Sequence, residues 1–382
     1  MIQAQQEAPV RKFRLGLGGA AMLLVIGCTS AAHVPSPSEF AVDTVARGLQ
    51  NPWSLAFLPD GQMLVTERPG RMRLIAADGS ASAPLYGLPP VYAVGQGGLL
   101  DVALDPQYTS NHRVYWSYAE PDLFGNAGTA VARGVLVNGG FEHVEVIYQQ
   151  TPKAKGGAHF GSRLVFAPDG TLFITQGERY THRAEAQDLR TDYGKVVRIN
   201  PDGSIPLDNP FVRDPNVRPE IWSYGHRNVQ GAAINPATGE LWTDEHGAMG
   251  GDEINRTLPG RNYGWPVITW GIDYNGSKIG EGTAKPGMEQ PLHYWTPSIA
   301  PSGMAFYTGD AFPQWRGNLF VGSLKFGFLD RITLDGERVV GEQRLLADQH
   351  ERIRDVRQGP DGNLYVLTDE LNGRLLRIRP PR

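Results

Sequence analysis

Trp53-Ser54-Leu55-Ala56-Phe57-Leu58-Pro59-Asp60-Gly61-Gln62-Met63-Leu64-Val65-Thr66-Glu67 carries an alternating run, a Pro-Asp-Gly corner and a second alternating run that ends on a charge. Proline fixes φ at the first corner, aspartate bonds its own backbone and glycine accepts positive φ, so the stretch is a β-hairpin for local reasons. Five further copies follow. Residues 100–106 lead into Val114-Tyr115-Trp116, residues 164–176 flank Pro168-Asp169-Gly170, and residues 232–243 flank Asn235-Pro236. Residues 304–322 contain Gly317-Asn318, and residues 356–368 flank Pro360-Asp361-Gly362. Several hairpins are followed by another strand, such as Gly70-Arg71-Met72-Arg73-Leu74-Ile75 or Gly373-Arg374-Leu375-Leu376-Arg377-Ile378. Six units of roughly 45–70 residues, too long for solenoid repeats, predict an all-β chain: a six-bladed β-propeller of four-stranded antiparallel blades. Phe40-Ala41-Val42-Asp43-Thr44-Val45 has no hairpin of its own and is expected to complete the last blade, leaving no open edge.

The composition agrees: 47 Gly and 29 Pro among 382 residues suit short strands and turns rather than long helices. With 36 Lys+Arg against 40 Asp+Glu and no basic block, nothing recommends a nucleic-acid partner. Three cations, Arg11, Lys12 and Arg14, precede a small and apolar segment that ends Val25-Ile26-Gly27-Cys28. Residues 1–27 therefore read as a bacterial export signal, whose apolar stretch from Leu15 to Gly27 is too short to span a bilayer securely. The ending resembles a lipobox, which implies a lipid anchor at Cys28; cleavage near Ala31-Ala32 is the alternative. Cys28 is the only cysteine, so the fold must do without disulfides. Residues 28–38 read as a flexible tether, residues 39–382 as one catalytic propeller, and the location as the periplasmic side of the bacterial cell envelope.

In a propeller blade the first hairpin strand lies nearest the axis. Residues just before it and residues just after the second strand therefore share one mouth of the central channel. The first group contains Gln96, His159, Arg227-Asn228, Ser298, Arg352 and Arg354; the second contains Glu67, Glu178-Arg179, Asp244-Glu245-His246-Gly247, Lys325 and Asp369-Glu370. His159 stands among glycines in Gly156-Gly157-Ala158-His159-Phe160-Gly161, a setting for a base at a strand mouth or for a structural histidine in a turn. Convergence of Arg227, Lys325, Arg352 and Arg354 costs repulsion unless an anion lies between them, and arginine forks suit carboxylates or phosphates. A small polyanion on the axis answers that pattern. The loop Asp244-Glu245-His246-Gly247-Ala248-Met249-Gly250-Gly251-Asp252-Glu253 offers oxygen ligands for a hard cation such as Ca²⁺, without EF-hand spacing. Zinc fits less well, because no second His or Cys has ligand spacing near His246.

At these residues the chain resembles the soluble, pyrroloquinoline quinone (PQQ)-dependent aldose sugar dehydrogenases related to soluble glucose dehydrogenase. The resemblance covers nearly all of residues 40–380. It rests on Gly97-Gly98-Leu99-Leu100-Asp101-Val102-Ala103, His159 with Arg163-Leu164, Gly225-His226-Arg227-Asn228-Val229-Gln230-Gly231, Glu245-His246-Gly247 with Asp252-Glu253-Ile254-Asn255, Ser323-Leu324-Lys325, and Arg352-Ile353-Arg354-Asp355. It implies oxidation of the sugar C1 hydroxyl to a lactone, with His159 as general base and Gln96 orienting the hydroxyl. Arg227, with Asn228 beside it, would stabilise negative charge on the quinone. Ser298, Lys325, Arg352 and Arg354 would hold the PQQ carboxylates. Ca²⁺ at the carbonyls of Gly247 and Ala248 would act as a Lewis acid, and a second Ca²⁺ would use Glu253 and Tyr263. The implied partners are an aldose and an external electron acceptor. Two departures bear on the site. Ala248 stands where the family often has proline, and the aromatic that covers the sugar would fall at Thr296, beside Trp295. A non-enzymatic sugar- or protein-binding propeller and a Ca²⁺-dependent lactonase-type hydrolase are the competing readings.

Overall fold

The turn chemistry is realised as expected. Asp60, Asp169 and Asp361 accept bonds through Oδ1 from the amides of Gln62 (2.9 Å), Thr171 (2.9 Å) and Asn363 (3.1 Å). Gly61 (φ +87°), Gly170 (φ +84°) and Gly362 (φ +76°) take the left-handed corner. The computed structural model describes residues 39–381. The expected export signal, the tether and Cys28 all lie outside the described residues.

Among the described residues the strands form six antiparallel sheets, five of four strands and one of three. The strands nearest the axis are Pro52–Phe57, Leu99–Leu104, Gly161–Phe166, Val229–Ile234, Pro301–Phe306 and Ile353–Gln358, and each packs on the next until the last meets the first. Closure comes from Ala41–Leu49, which pairs with Gly373–Arg379 at the outside of the sixth sheet. The first blade departs from the expected four strands. After Arg71–Ile75 the chain keeps the bridge Ile75 to Ala81 and single bonds from the Ser82 and Leu85 amides to Leu74 and Met72, but Pro84, Pro89 and Pro90 have no N–H to continue a ladder.

The sheets stack face to face through their alternate apolar residues. Between the first two blades, Leu64 and Met72 meet Leu99, Val102, Trp116 and Ala130. Truncating a fully buried tryptophan such as Trp116 would cost about 3–5 kcal/mol. Partway along the axis, the third residues of three inner strands, Asp101, Arg163 and Asp355, form a charged belt with Arg357. Asp101 accepts from Ser54 Oγ (2.5 Å), Arg163 Nη1 (3.1 Å), Leu164 N (2.7 Å) and Arg357 Nη2 (2.8 Å). Arg163 and Arg357 also reach Asp355. This ionic belt is the floor beneath the mouth where the polar loop ends gather.

Candidate active site

Above the belt lies a cavity of about 550 Å³, within the usual size range of small-ligand sites. Gln96, Ser298, Lys325, Arg352, Arg354, Gly247 and Ala248 all line it, as the strand-end argument expects. His246 and Asp369, expected at this mouth from their strand ends, line it too, and Arg68, Trp53, Gln230 and Tyr274, which are not among the residues expected there, join them. Arg68 follows the second strand of the first hairpin, so the same rule would have found it. The lining holds four cations, Arg68, Lys325, Arg352 and Arg354, against one carboxylate, Asp369. Asp369 bonds Arg354 at 2.8 Å and Arg352 at 3.2 Å, with Arg68 at 3.9 Å. Despite its burial, those cations hold its carboxyl well below the usual range. Burial depresses the Arg354 guanidinium, and its cationic neighbours add to that. Such a wall is complementary to a group carrying several negative charges.

His159, Arg227 and Asn228 sit immediately behind this lining. The His159 backbone, at φ +53°, is in a region that non-glycine residues enter only when surrounding contacts hold them. Its amide donates to Gln96 Oε1 at 2.7 Å, and its ring Nδ1 lies 2.9 Å from Glu178 Oε2. Both side chains are buried. Burial lowers the imidazole pKa below its ordinary value, against the opposing pull of Glu178, and Arg227 lowers it further. The ring is therefore neutral near pH 7, and with Nδ1–H donated to Glu178, Nε2 is left as the basic nitrogen. Strand ends stitch the next blade alongside: the Glu178 amide donates to the Arg227 carbonyl at 3.0 Å. The Arg227 amide is held by Glu245 Oε2 at 2.7 Å, and its guanidinium lies between the rings of Trp265 (5.2 Å) and Tyr274 (5.9 Å). Asn228 is fully buried and works as a brace, its Oδ1 accepting from the Gly161 amide at 3.1 Å. His246 opens onto the cavity with Nε2 2.7 Å from the Pro301 carbonyl, and burial drives its pKa down to about 3.

The proposed cation ligands divide into two places. Gly247 lines the cavity; its amide donates to Asp252 Oδ1 at 2.7 Å and its carbonyl accepts from Arg227 Nη1. A Cβ there would run into the carbonyl oxygen of Gly250, so the turn requires glycine. Any cation on that carbonyl shares it with Arg227. Behind it, Glu245 and Glu253 are directly paired across adjacent strands, in a small void also lined by Tyr263. Burial and the neighbouring Glu245 push Glu253 up to about 8, which is the signature of two carboxylates in need of a positive partner. The Tyr263 hydroxyl is committed, donating to the Arg256 carbonyl and accepting from the Leu258 amide at 2.8 Å. Its main-chain carbonyl is what it has to offer a metal. Among the described residues no group of three His, Cys, Asp or Glu side chains is arranged to hold a metal, so a cation here depends on backbone oxygens. Trp295 is buried with Nε1 donating to Asp330 at 3.2 Å, and Thr296 stands beside Gly250, so neither lines the cavity.

A closed propeller whose one mouth holds a small-molecule cavity walled by cations, with a buried histidine behind it, puts the chain in the class of proteins with a binding site for an anionic ligand. Comparison with known proteins gives that class its family. The chain belongs to the glucose/sorbosone dehydrogenase family, whose model matches residues 49–377. It is an oxidoreductase acting on CH–OH groups. It is 48% identical to the aldose sugar dehydrogenase YliI of Escherichia coli, over 94% of this chain and 98% of that one. The crystal structure of the soluble aldose sugar dehydrogenase of E. coli in its apo form superposes with a TM-score of 0.88 at 49% identity, covering 90% of this chain and 100% of that one. A PQQ-bound aldose sugar dehydrogenase from Streptomyces coelicolor gives 0.73 at 29% identity, covering 90% and 99%. Family membership in dehydrogenases rules against the reading of a propeller without enzymatic activity.

Proposed function

We propose that the protein oxidises the C1 hydroxyl of aldose sugars to the lactone, with PQQ and Ca²⁺ as cofactors and an external electron acceptor. The observation that carries this reading is the buried contact of His159 Nδ1 with Glu178 directly behind a cavity whose lining holds four cations to one carboxylate. PQQ would supply the two-electron oxidant and Ca²⁺ a Lewis acid beside it. Lys325, Arg352, Arg354 and Ser298 would bind its three carboxylates. Ser298 Oγ already donates its one proton to Asp252 at 2.8 Å, so it would have to turn away from Asp252 to donate to a carboxylate. The carbonyls of Gly247 and Ala248 would hold the Ca²⁺ next to it, and Glu253 with Tyr263 a second one. At the sugar, His159 Nε2 takes the C1 hydroxyl proton while Glu178 fixes the ring and balances the imidazolium charge. Gln96, tied to the His159 amide, orients that hydroxyl, and Arg227 offsets negative charge that develops near the ring. Asn228 braces the His159–Gly161 segment and acts on the cofactor only through it. A lactonase held together by a side-chain-bound axial metal has no such ligand cluster among the described residues. The chain would work in the bacterial envelope, on the periplasmic side, attached through a lipid at Cys28.

The test is dye-linked aldose oxidation by purified protein with neither cofactor, with Ca²⁺ alone and with PQQ plus Ca²⁺. Turnover confined to the last condition supports the reading. Lactone hydrolysis without PQQ, or no response to it, overturns it.

A further inference from the structure

We infer that Tyr274 is the aromatic platform on which the apolar C–H face of the aldose ring rests, an inference that builds on the proposed sugar oxidation. Three aromatic side chains line the cavity: Trp53, Phe160 and Tyr274. Trp53 and Phe160 are each 2% exposed, and guanidinium groups cover their faces, Arg163 at 4.3 Å and Arg179 at 3.8 Å. Tyr274 is 54% exposed. It is the lining aromatic with a face left for a ligand.

Its position is built rather than incidental. The long connection between Asp252–Arg256 and His293–Trp295 doubles back over the mouth, where the Met249 amide donates to the Ile272 carbonyl at 3.0 Å. A tight turn follows, with the Asp273 amide donating to the Ser277 carbonyl at 2.8 Å and Asp273 Oδ1 capping the Tyr274 amide at 2.8 Å. On its other side Asp273 Oδ2 is ion-paired with Arg183 at 2.9 Å, from the loop that carries Glu178. The strap is thus pinned to both blades that supply the base and the arginine. Arg227 Nη2 lies 3.4 Å from the Tyr274 hydroxyl, which places the ring at the His159 and Arg227 end of the cavity. A pyranose displays hydroxyls around its edge and C–H groups on its faces. An amphipathic aromatic plate beside a polar wall matches that division. A substrate held against Tyr274 also keeps water off the reacting carbon.

Stacking of this kind binds ground state and transition state alike, so its loss should raise KM and leave the chemical step nearly intact. Tyr274→Ala in the PQQ- and Ca²⁺-loaded enzyme is expected to raise KM for a hexose by about tenfold or more, with less than about threefold change in the single-turnover rate. Tyr274→Phe keeps the ring and should stay within about twofold of wild type in both. A readout independent of turnover is saturation-transfer NMR of the hexose on enzyme loaded with already reduced PQQ, where the signal should weaken for Ala and persist for Phe. An unchanged KM in Tyr274→Ala overturns the inference. So does a Phe variant as impaired as Ala, which would make the hydroxyl's contact with Arg227 the important one, or a loss of PQQ binding in step with KM. A wild-type enzyme that oxidises no aldose sinks the parent reading and this one together; a wild type that turns over beside an unaffected Ala variant sinks this one alone.

Discussion

Replacing His159 by alanine separates a base from a brace, because the structure assigns the side chain two separable consequences. Loss of a general base lowers the chemical rate by about 10²–10⁴. The same change leaves the Glu178 carboxylate, 1% exposed, with the Tyr180 amide as its remaining close partner. A hydrogen bond to a charged group is worth about 1.5–3 kcal/mol, so the variant should lose that much stability. At about 2.1 cal/mol/K of unfolding entropy per residue, residues 39–381 shift by roughly 1.4 °C per kcal/mol, so Tm should fall by about 2–4 °C. The double variant His159→Ala with Glu178→Gln removes the stranded charge. It should recover roughly half of the lost stability and none of the activity, since the neutral amide still needs a partner. The assay pairs thermal unfolding with optical single-turnover reduction of bound PQQ by sugar, which excludes reoxidation by the dye. Near-normal reduction in His159→Ala would refute the assignment and turn attention to Glu178. A double variant that regains activity would refute the division of roles.

Removal of cofactor-facing cations should weaken PQQ without unfolding the protein: Arg352→Ala and Arg354→Ala should each cost about tenfold to a hundredfold in affinity by equilibrium dialysis. Only the second should lower Tm, because Arg354 is buried between Asp369 and Gln230 whereas the Arg352 side chain is 48% exposed; full occupancy at limiting PQQ would take either residue out of the site. For Glu253, the folded value of about 8 against an ordinary 4.5 means that folding favours the protonated form, so in chelator stability should fall as pH rises from 4.5 through 8. Ca²⁺ should reverse that loss and Glu253→Gln should abolish both effects; stability at pH 8 that ignores chelator and Ca²⁺ alike would refute a cation site there. Substituting Cys28→Ser should release the protein from membranes into the soluble envelope fraction, because lasting attachment needs two or more acyl chains. A mature N-terminus beginning after Ala31 would refute the anchor.

What could be read from the chain was what short-range chemistry fixes. A Pro-Asp-Gly corner determines its hairpin from three neighbouring residues, and the direction of each hairpin then determines which strand ends share a mouth. That is why Gln96, Ser298, Lys325, Arg352 and Arg354 line one cavity although they are far apart in sequence. Tyr274 escaped the same logic because nothing local places it: its position depends on Met249 meeting Ile272 and on Arg183 meeting Asp273, pairings with no periodic signal. His246 was weighed as a zinc ligand and passed over for want of a partner, while its actual bond is to a backbone carbonyl that carries no sequence mark. The motif residues Asp101, Arg163 and Asp355 teach the reverse lesson. They belong to the stretches that carry the family resemblance, yet they bind one another across the axis rather than a ligand. Their role still bears on the chemistry. The belt of opposed charges crosses the axis directly beneath the cavity. The wall above differs in balance: four lining cations face one lining carboxylate, an excess of positive charge that a bound anion would offset. A motif therefore marks the whole depth of the channel, and geometry is needed to divide its residues between floor and wall.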